Sequence, residues 1–188
     1  MRLLLVSGST RRCSTNTAAL RALRDLAPAG VHATLYDGLA DLPAFDPDQD
    51  QQAPSVVGQL RAQLAAADAV VFSTPEYAGT LPGSFKNLLD WTVGSGELYG
   101  KPVAWINVAA EGRGAGADAT MATVLAYVGA EVITAACVHV PVRRDSVGDD
   151  GAIDDLELRA RFGEVAAEVL RHLNGASTAE PLRPSPLR

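Results

Sequence analysis

The sequence predicts an α/β fold: a doubly wound sheet of five parallel strands in the order 2-1-3-4-5, with helices on both faces and right-handed crossovers. Three observations predict it. Short β-type apolar runs alternate with longer stretches of helical period, which is the pattern of βαβ units. The run from Ala69 to Ser73 is almost wholly apolar, as a strand covered on both faces should be. The chain has 188 residues, 47% hydrophobic and 20% charged, enough for one buried core and too short for a second independent one.

Leu3 to Val6 reads as the first strand, and the polar loop Ser7 to Asn16 leads into a helix whose Ala19, Leu20, Leu23 and Leu26 share a face. Val31 to Tyr36 is the second strand. A Pro/Asp-rich connection, Asp37 to Pro54, precedes a helix with Val57, Leu60, Leu64 and Ala67 on one stripe, and Ala69 to Ser73 follows as the third strand. After the loop Thr74 to Leu81, Pro82 opens a helix at a position where its missing amide costs no bond, and Phe85, Leu88 and Leu89 face inward. Val103 to Val108 is the fourth strand, Ala109 to Gly116 a glycine-rich loop, Asp118 to Tyr127 a helix, and Val132 to Val138 a single fifth strand. The last helix runs from about Asp154 to Leu173, with Leu158, Phe162, Val165, Val169 and Leu173 at helical spacing. The chain then turns Pro/Ser-rich, so residues 1–174 are expected to form one flavodoxin-like domain and 175–188 a flexible tail.

Sixteen basic against twenty-two acidic side chains give a net charge of -6, which disfavours nucleic acid and anionic membrane as partners. Two cysteines, Cys13 and Cys137, make no disulfide scaffold, so a reducing, cytoplasmic setting is expected. Only Leu3, Leu4, Leu5 and Val6 separate Arg2 from Ser7-Gly8-Ser9, too short an apolar core for a signal peptide. His32, His139 and His172 show no metal-ligand spacing, and no Ser/His/Asp or Cys/His constellation is present.

In a sheet of this order ligands sit beyond the carboxyl ends of the strands, where the loops after strands one, three and four are neighbours. Ser7 to Asn16 ends at a helix start and reads as a phosphate cradle: Ser9, Ser14 and Thr15 offer hydroxyls, Arg11 a charged fork, and Asn16 a cap or an amide. Such loops are also ordinary helix entries. The loop has one glycine where the dinucleotide fingerprint needs three, and no Walker lysine; Asp37, at the end of strand two, keeps a ribose-binding reading open beside that of a plain turn residue. In the second loop, Pro75, Glu76, Tyr77, Ala78 and Gly79 can present amides to the edge of a flat ring. Tyr77 suits ring contact or packing equally. The third loop, with Ala110 and Gly112, is nearly free of bulky side chains, and its amides at a helix start would favour negative charge on a ligand. Lys86 and Asp90 read as an i,i+4 surface pair.

The pattern Ser7-Gly8-Ser9-x-Arg11-x-x-Ser14-x-Asn16, followed by Pro75-Glu76-Tyr77 and Pro82-Gly83-x-x-Lys86-Asn87-x-x-Asp90-Trp91, resembles the NADPH-dependent FMN reductases, a family that includes quinone, chromate and azo-dye reductases. The resemblance spans Arg2 to Val138, and Leu42-Pro43-x-Phe45-Asp46 is similar to the family's loop after strand two. It implies FMN as cofactor, with Ser9, Arg11, Ser14, Thr15 and Asn16 on its phosphate and Pro75 to Gly79 on its ring, the third loop reaching the ring's pyrimidine end. It further implies NADPH or NADH as donor, hydride transfer to flavin N5 in a ping-pong cycle with no catalytic side chain, and a small acceptor such as a quinone, free flavin, azo compound or metal oxyanion. A homodimer or homotetramer is implied too, with Trp91, Leu98 and Tyr99 as interface residues. Ala78 departs from the family, where asparagine is frequent, as do Ala109 and Ala110, near which the family places a serine. A flavodoxin-like electron carrier with no enzymatic activity is the alternative; the charge of Arg11 in the phosphate loop favours the reductase.

Overall fold

The computed structural model describes residues 1–178. Its sheet carries β1 (Arg2–Ser7), β2 (His32–Tyr36), β3 (Ala69–Ser73), β4 (Pro102–Asn107), β5 (Glu131–Val132) and β6 (Val138–His139). The strands are parallel and run in the order β2-β1-β3-β4-β5, with β6 also pairing to β4. The helices are α1 (Thr15–Asp25), α2 (Ser55–Ala66), α3 (Gly83–Asp90), α4 (Ala115–Tyr127) and α5 (Leu156–Thr178).

Successive side chains of a strand point to opposite faces, and here both faces are covered. Leu3 and Leu5 of β1, with Ala69 and Val71 of β3 and Ala104 and Ile106 of β4, pack against α1 and α5. Leu4 and Val6, with Val70, Phe72 and Val103, pack against α2, α3 and α4. That two-sided burial is why, between the exposed Arg2 at the start of β1 and the closing Ser7 and Ser73, β1 and β3 contain only apolar residues. Each fully buried leucine contributes about 1.5–3 kcal/mol, so the two layers supply the main driving force.

Two expectations are corrected. The fifth strand is not continuous: a 3-10 turn at Thr134–Ala136 separates β5, which pairs with Pro102 and Val103, from β6, which pairs with Ile106 and Asn107. Ile133 and Ala136 are three apart, so one strand would send them to opposite faces, yet both are buried in the α1/α5 layer. The turn is what lets both face inward. The last helix does not stop near Leu173 but continues through Asn174 and Gly175 to Thr178, with Gly175 outside the set of left-handed glycines. The rest of the expected tail, residues 179–188, lies outside the described residues. No described helix is long and apolar enough to cross a membrane.

Candidate functional site

The three loops lie at the carboxyl ends of β1, β3 and β4, and particular contacts hold them together. Gly8 donates its amide to Ser73 O at 2.8 Å. A Cβ on Gly8 would stand 2.3 Å from Thr74 Oγ1 and 2.8 Å from the Phe85 ring, so only glycine lets the first loop cross the second here. Ser73, fully buried, holds its hydroxyl 2.8 Å from Ile106 O and 3.0 Å from Asn16 Oδ1, one proton shared between the two acceptors, tying α1, β3 and β4 at one point. This bond turns Asn16 so that its amide nitrogen has no partner among the described residues.

Ser14 is the N-cap of α1, and its hydroxyl makes no capping bond. Ser9, Arg11, Cys13, Ser14, Thr15 and Asn16 line a cavity of about 120 Å³ together with Pro75, Tyr77 and Arg144. The structure thus brings all five candidate residues of the first loop to one cavity with Pro75 and Tyr77 of the second. Tyr77 is 58% exposed and forms no part of the core, so its ring is open to a ligand. Sequence reasoning missed Arg144. Arg144 belongs to a 3-10 turn after β6 and has no local pattern that points to the first loop. Asp37 borders a neighbouring cavity of about 210 Å³, with Arg12 and Arg21, which shares Ser9 and Arg11 with the first.

The second loop is a tight hairpin: Tyr77 N donates to Thr80 O (2.9 Å) and Thr80 N to Tyr77 O (3.1 Å). Both central residues have positive φ, 50° at Ala78 and 78° at Gly79, the signature of a type I′ turn. Asparagine and glycine suit those positions. Alanine at the first departs from that preference and puts a side chain in the left-handed region.

Glu76, Ala78, Gly79, Ala110 and Gly112 do not line the cavity of the first loop. Glu76 turns toward α4, where Oε2 accepts from Gly116 N at 2.7 Å and Ala117 N at 3.2 Å. The amides at the start of α4, expected to face negative charge on a ligand, are therefore occupied by a carboxylate of the protein itself. Loops two and three are also in backbone contact: a Cβ on Gly116 would lie 2.1 Å from Gly79 O. Asn107 fixes the third loop from below, accepting from Ala109 N at 3.0 Å and donating to Asp118 Oδ2 at 2.7 Å, while His139 Nε2 bonds Ala109 O at 2.8 Å. Ala110 and Gly112 are exposed at the loop's tip.

The second motif has a structural reading. Asn87 accepts from Phe45 N and donates to Pro43 O, both at 2.8 Å, and Trp91 Nε1 donates to Pro43 O at 2.9 Å. Phe45 meets the Trp91 ring edge-on at 5.0 Å. These residues dock the loop after β2 onto α3, and Lys86 pairs with Asp90 at 2.5 Å, as the i,i+4 spacing predicts. Trp91 and Leu98, expected at a subunit interface, are fully buried within their own chain, whereas Tyr99 is 80% exposed.

The donor set suits a phosphate ester: hydroxyls, a free amide, a guanidinium and a helix start, with no carboxylate in the cavity wall. The family profile of NADPH-dependent FMN reductases matches residues 1–144. Quinone reductase from Escherichia coli (strain K12) is 36% identical over 107 residues, which cover 55% of this chain and 57% of that protein. NADPH azoreductase from Bacillus sp. (strain OY1-2) is 32% identical over 115 residues, 61% of this chain and 62% of that protein. The chain thus spans less than two thirds of the length of these curated relatives. FerB, a flavoenzyme NAD(P)H:(acceptor) oxidoreductase from Paracoccus denitrificans, superposes with a TM-score of 0.76 at 27% identity, covering 91% of this chain and 98% of that chain. By its sheet order, its two loop motifs and this match, the chain belongs to the NADPH-dependent FMN reductase family.

Proposed function

We propose that the protein is an FMN-dependent NAD(P)H oxidoreductase that passes electrons to a small acceptor, a quinone or azo compound among them, in a ping-pong cycle. The observation that carries this reading is the convergence of the first two loops on one cavity rich in phosphate donors, with the third loop locked to the second. Bound there, FMN would supply the hydride-accepting ring that no side chain of the chain provides. Ser9, Ser14, Thr15 and the Asn16 amide would donate to the phosphate, and Arg11 would neutralise it. Pro75 and Tyr77 would bound the ring. Glu76 would act at one remove, holding the second loop against α4.

Purified protein should bind FMN and, without oxygen, bleach rapidly on addition of NADPH or NADH. Flavin that stays oxidised under those conditions would favour the electron carrier, and protein that FMN cannot reconstitute would defeat both readings. Arg11→Ala should weaken FMN retention with the fold intact, and unaltered retention would remove the phosphate assignment. We also propose a homodimer or homotetramer. Tyr99 and Tyr127 are 80% and 85% exposed, the Tyr99 ring lies over Gly129, and α4 turns Ala119, Ala122 and Ala126 outward, an apolar surface suited to a second copy. A monomeric mass by light scattering would refute it.

A further inference from the structure

Beyond β6 the chain is held close to the site by buried side chains. Val140 and Val142 are both in the core, and their amides donate to Asn107 O (2.8 Å) and Val108 O (3.1 Å). This anchor fixes the start of the turn Arg144–Ser146. Two arginines stand side by side there with different surroundings. Arg143 is satisfied by Asp145 through two bonds, Nε to Oδ1 at 3.0 Å and Nη2 to Oδ2 at 2.7 Å. The Arg144 side chain has no hydrogen bond or ion pair among the described residues, and Arg144 lines the same cavity as Ser9, Arg11, Ser14 and Asn16. The Arg11 side chain likewise has no such partner among the described residues.

Two arginines from separate elements, neither with a side-chain partner among the described residues, thus line one cavity of about 120 Å³ that has no acidic residue in its wall, on a chain of net charge -6. Like charges held together in this way favour an anion, and a phosphate monoester carries nearly two negative charges at neutral pH, enough to balance both. We propose that Arg144 is a second arginine of the phosphate cradle, binding the terminal phosphate of FMN jointly with Arg11. The assignment rests on the flavin reading above and adds a residue that lies outside both sequence motifs. It makes the cradle selective for the phosphorylated cofactor: riboflavin, with the same ring and no phosphate, gains nothing from Arg144.

Titration of flavin-free protein with FMN and with riboflavin, followed by flavin fluorescence, tests it. Arg144→Ala should weaken FMN binding about tenfold, the size of one partly solvated charge-assisted contact, and leave riboflavin binding unchanged. Arg144→Lys should recover part of the loss, because it restores a charge without the planar fork. Arg143→Ala should leave FMN affinity unchanged. Unaltered FMN affinity in Arg144→Ala, alongside a loss in Arg11→Ala, would overturn the proposal and leave the flavin reading intact. An equal loss for FMN and riboflavin would overturn it too, by making Arg144 a support of the loops. So would a raised KM for NADPH but not NADH at unchanged FMN affinity, which would assign the residue to the donor's 2′-phosphate. Wild-type protein that binds no FMN would instead refute the underlying flavin reading.

Discussion

Glu76 joins the second loop to the start of α4, beside a Thr80–Thr120 hydroxyl contact at 2.9 Å, and its removal has a predictable size. Oε2 accepts from Gly116 N and Ala117 N, while Gly114, the N-cap of α4, offers no side-chain acceptor of its own. Glu76→Ala leaves two amides of the first turn without that partner. Loss of a cap costs about 0.5–2 kcal/mol, and loss of a negative charge at a helix start a further 0.3–1 kcal/mol or so. A total near 2 kcal/mol corresponds to a fall of about 4–8 °C in Tm for a chain of this size. Glu76→Gln keeps an oxygen acceptor and loses only the charge, so its fall should be less than half as large. Thermal unfolding of the flavin-free protein, followed by far-UV circular dichroism, separates this effect from any loss of ligand. A Glu76→Ala midpoint equal to the wild type, or equal falls for the two variants, would refute the capping argument.

Other substitutions probe the same framework. Ala78→Asn should raise stability by about 0.5–1 kcal/mol in the same melt, because asparagine tolerates the left-handed conformation that alanine pays to adopt; an unchanged midpoint would count against a strained turn. Gly116→Ala places a Cβ against Gly79 O and should lower both stability, by about 1–3 kcal/mol, and FMN retention; a variant normal in both would show that the two loops separate freely. Tyr36 has a buried hydroxyl with no partner among the described residues, and burial first, then Asp37 and Asp41, push its pKa from 10.0 to about 12. Between those values the unfolded chain has released the proton and the folded chain keeps it, so stability falls as pH rises through that window. Tyr36→Phe should remove Tyr36's part of that fall and raise neutral-pH stability by about 1 kcal/mol, and denaturant melts at pH 7 and above pH 10 would show either.

The strands buried on both faces, β1, β3 and β4, were legible because nearly every residue in them is apolar, and the facing stripes of α1, α2 and α3 because their periodicity is unambiguous. The fifth run was not: a stretch from Val132 to Val138 has strand composition, and only the need to bury Ile133 and Ala136 on one side breaks it. Asn174-Gly175 has the composition of a helix stop, yet glycine keeps helical geometry there while Leu173 packs on the core. The first loop's donors were readable from residue type at a helix start. The bond from Glu76 to the start of α4 was not legible, because nothing in sequence places residue 116 beside it, and Arg144 reaches the first loop only through the path of the chain after β6.

The broken run beyond β4 also bears on how the protein behaves when crowded. On that side the sheet ends in two segments of two residues each, set apart by a turn, so an approaching strand from another molecule finds no stretch long enough to zip against. A border interrupted in this way discourages the open-ended stacking by which exposed sheets grow into fibres.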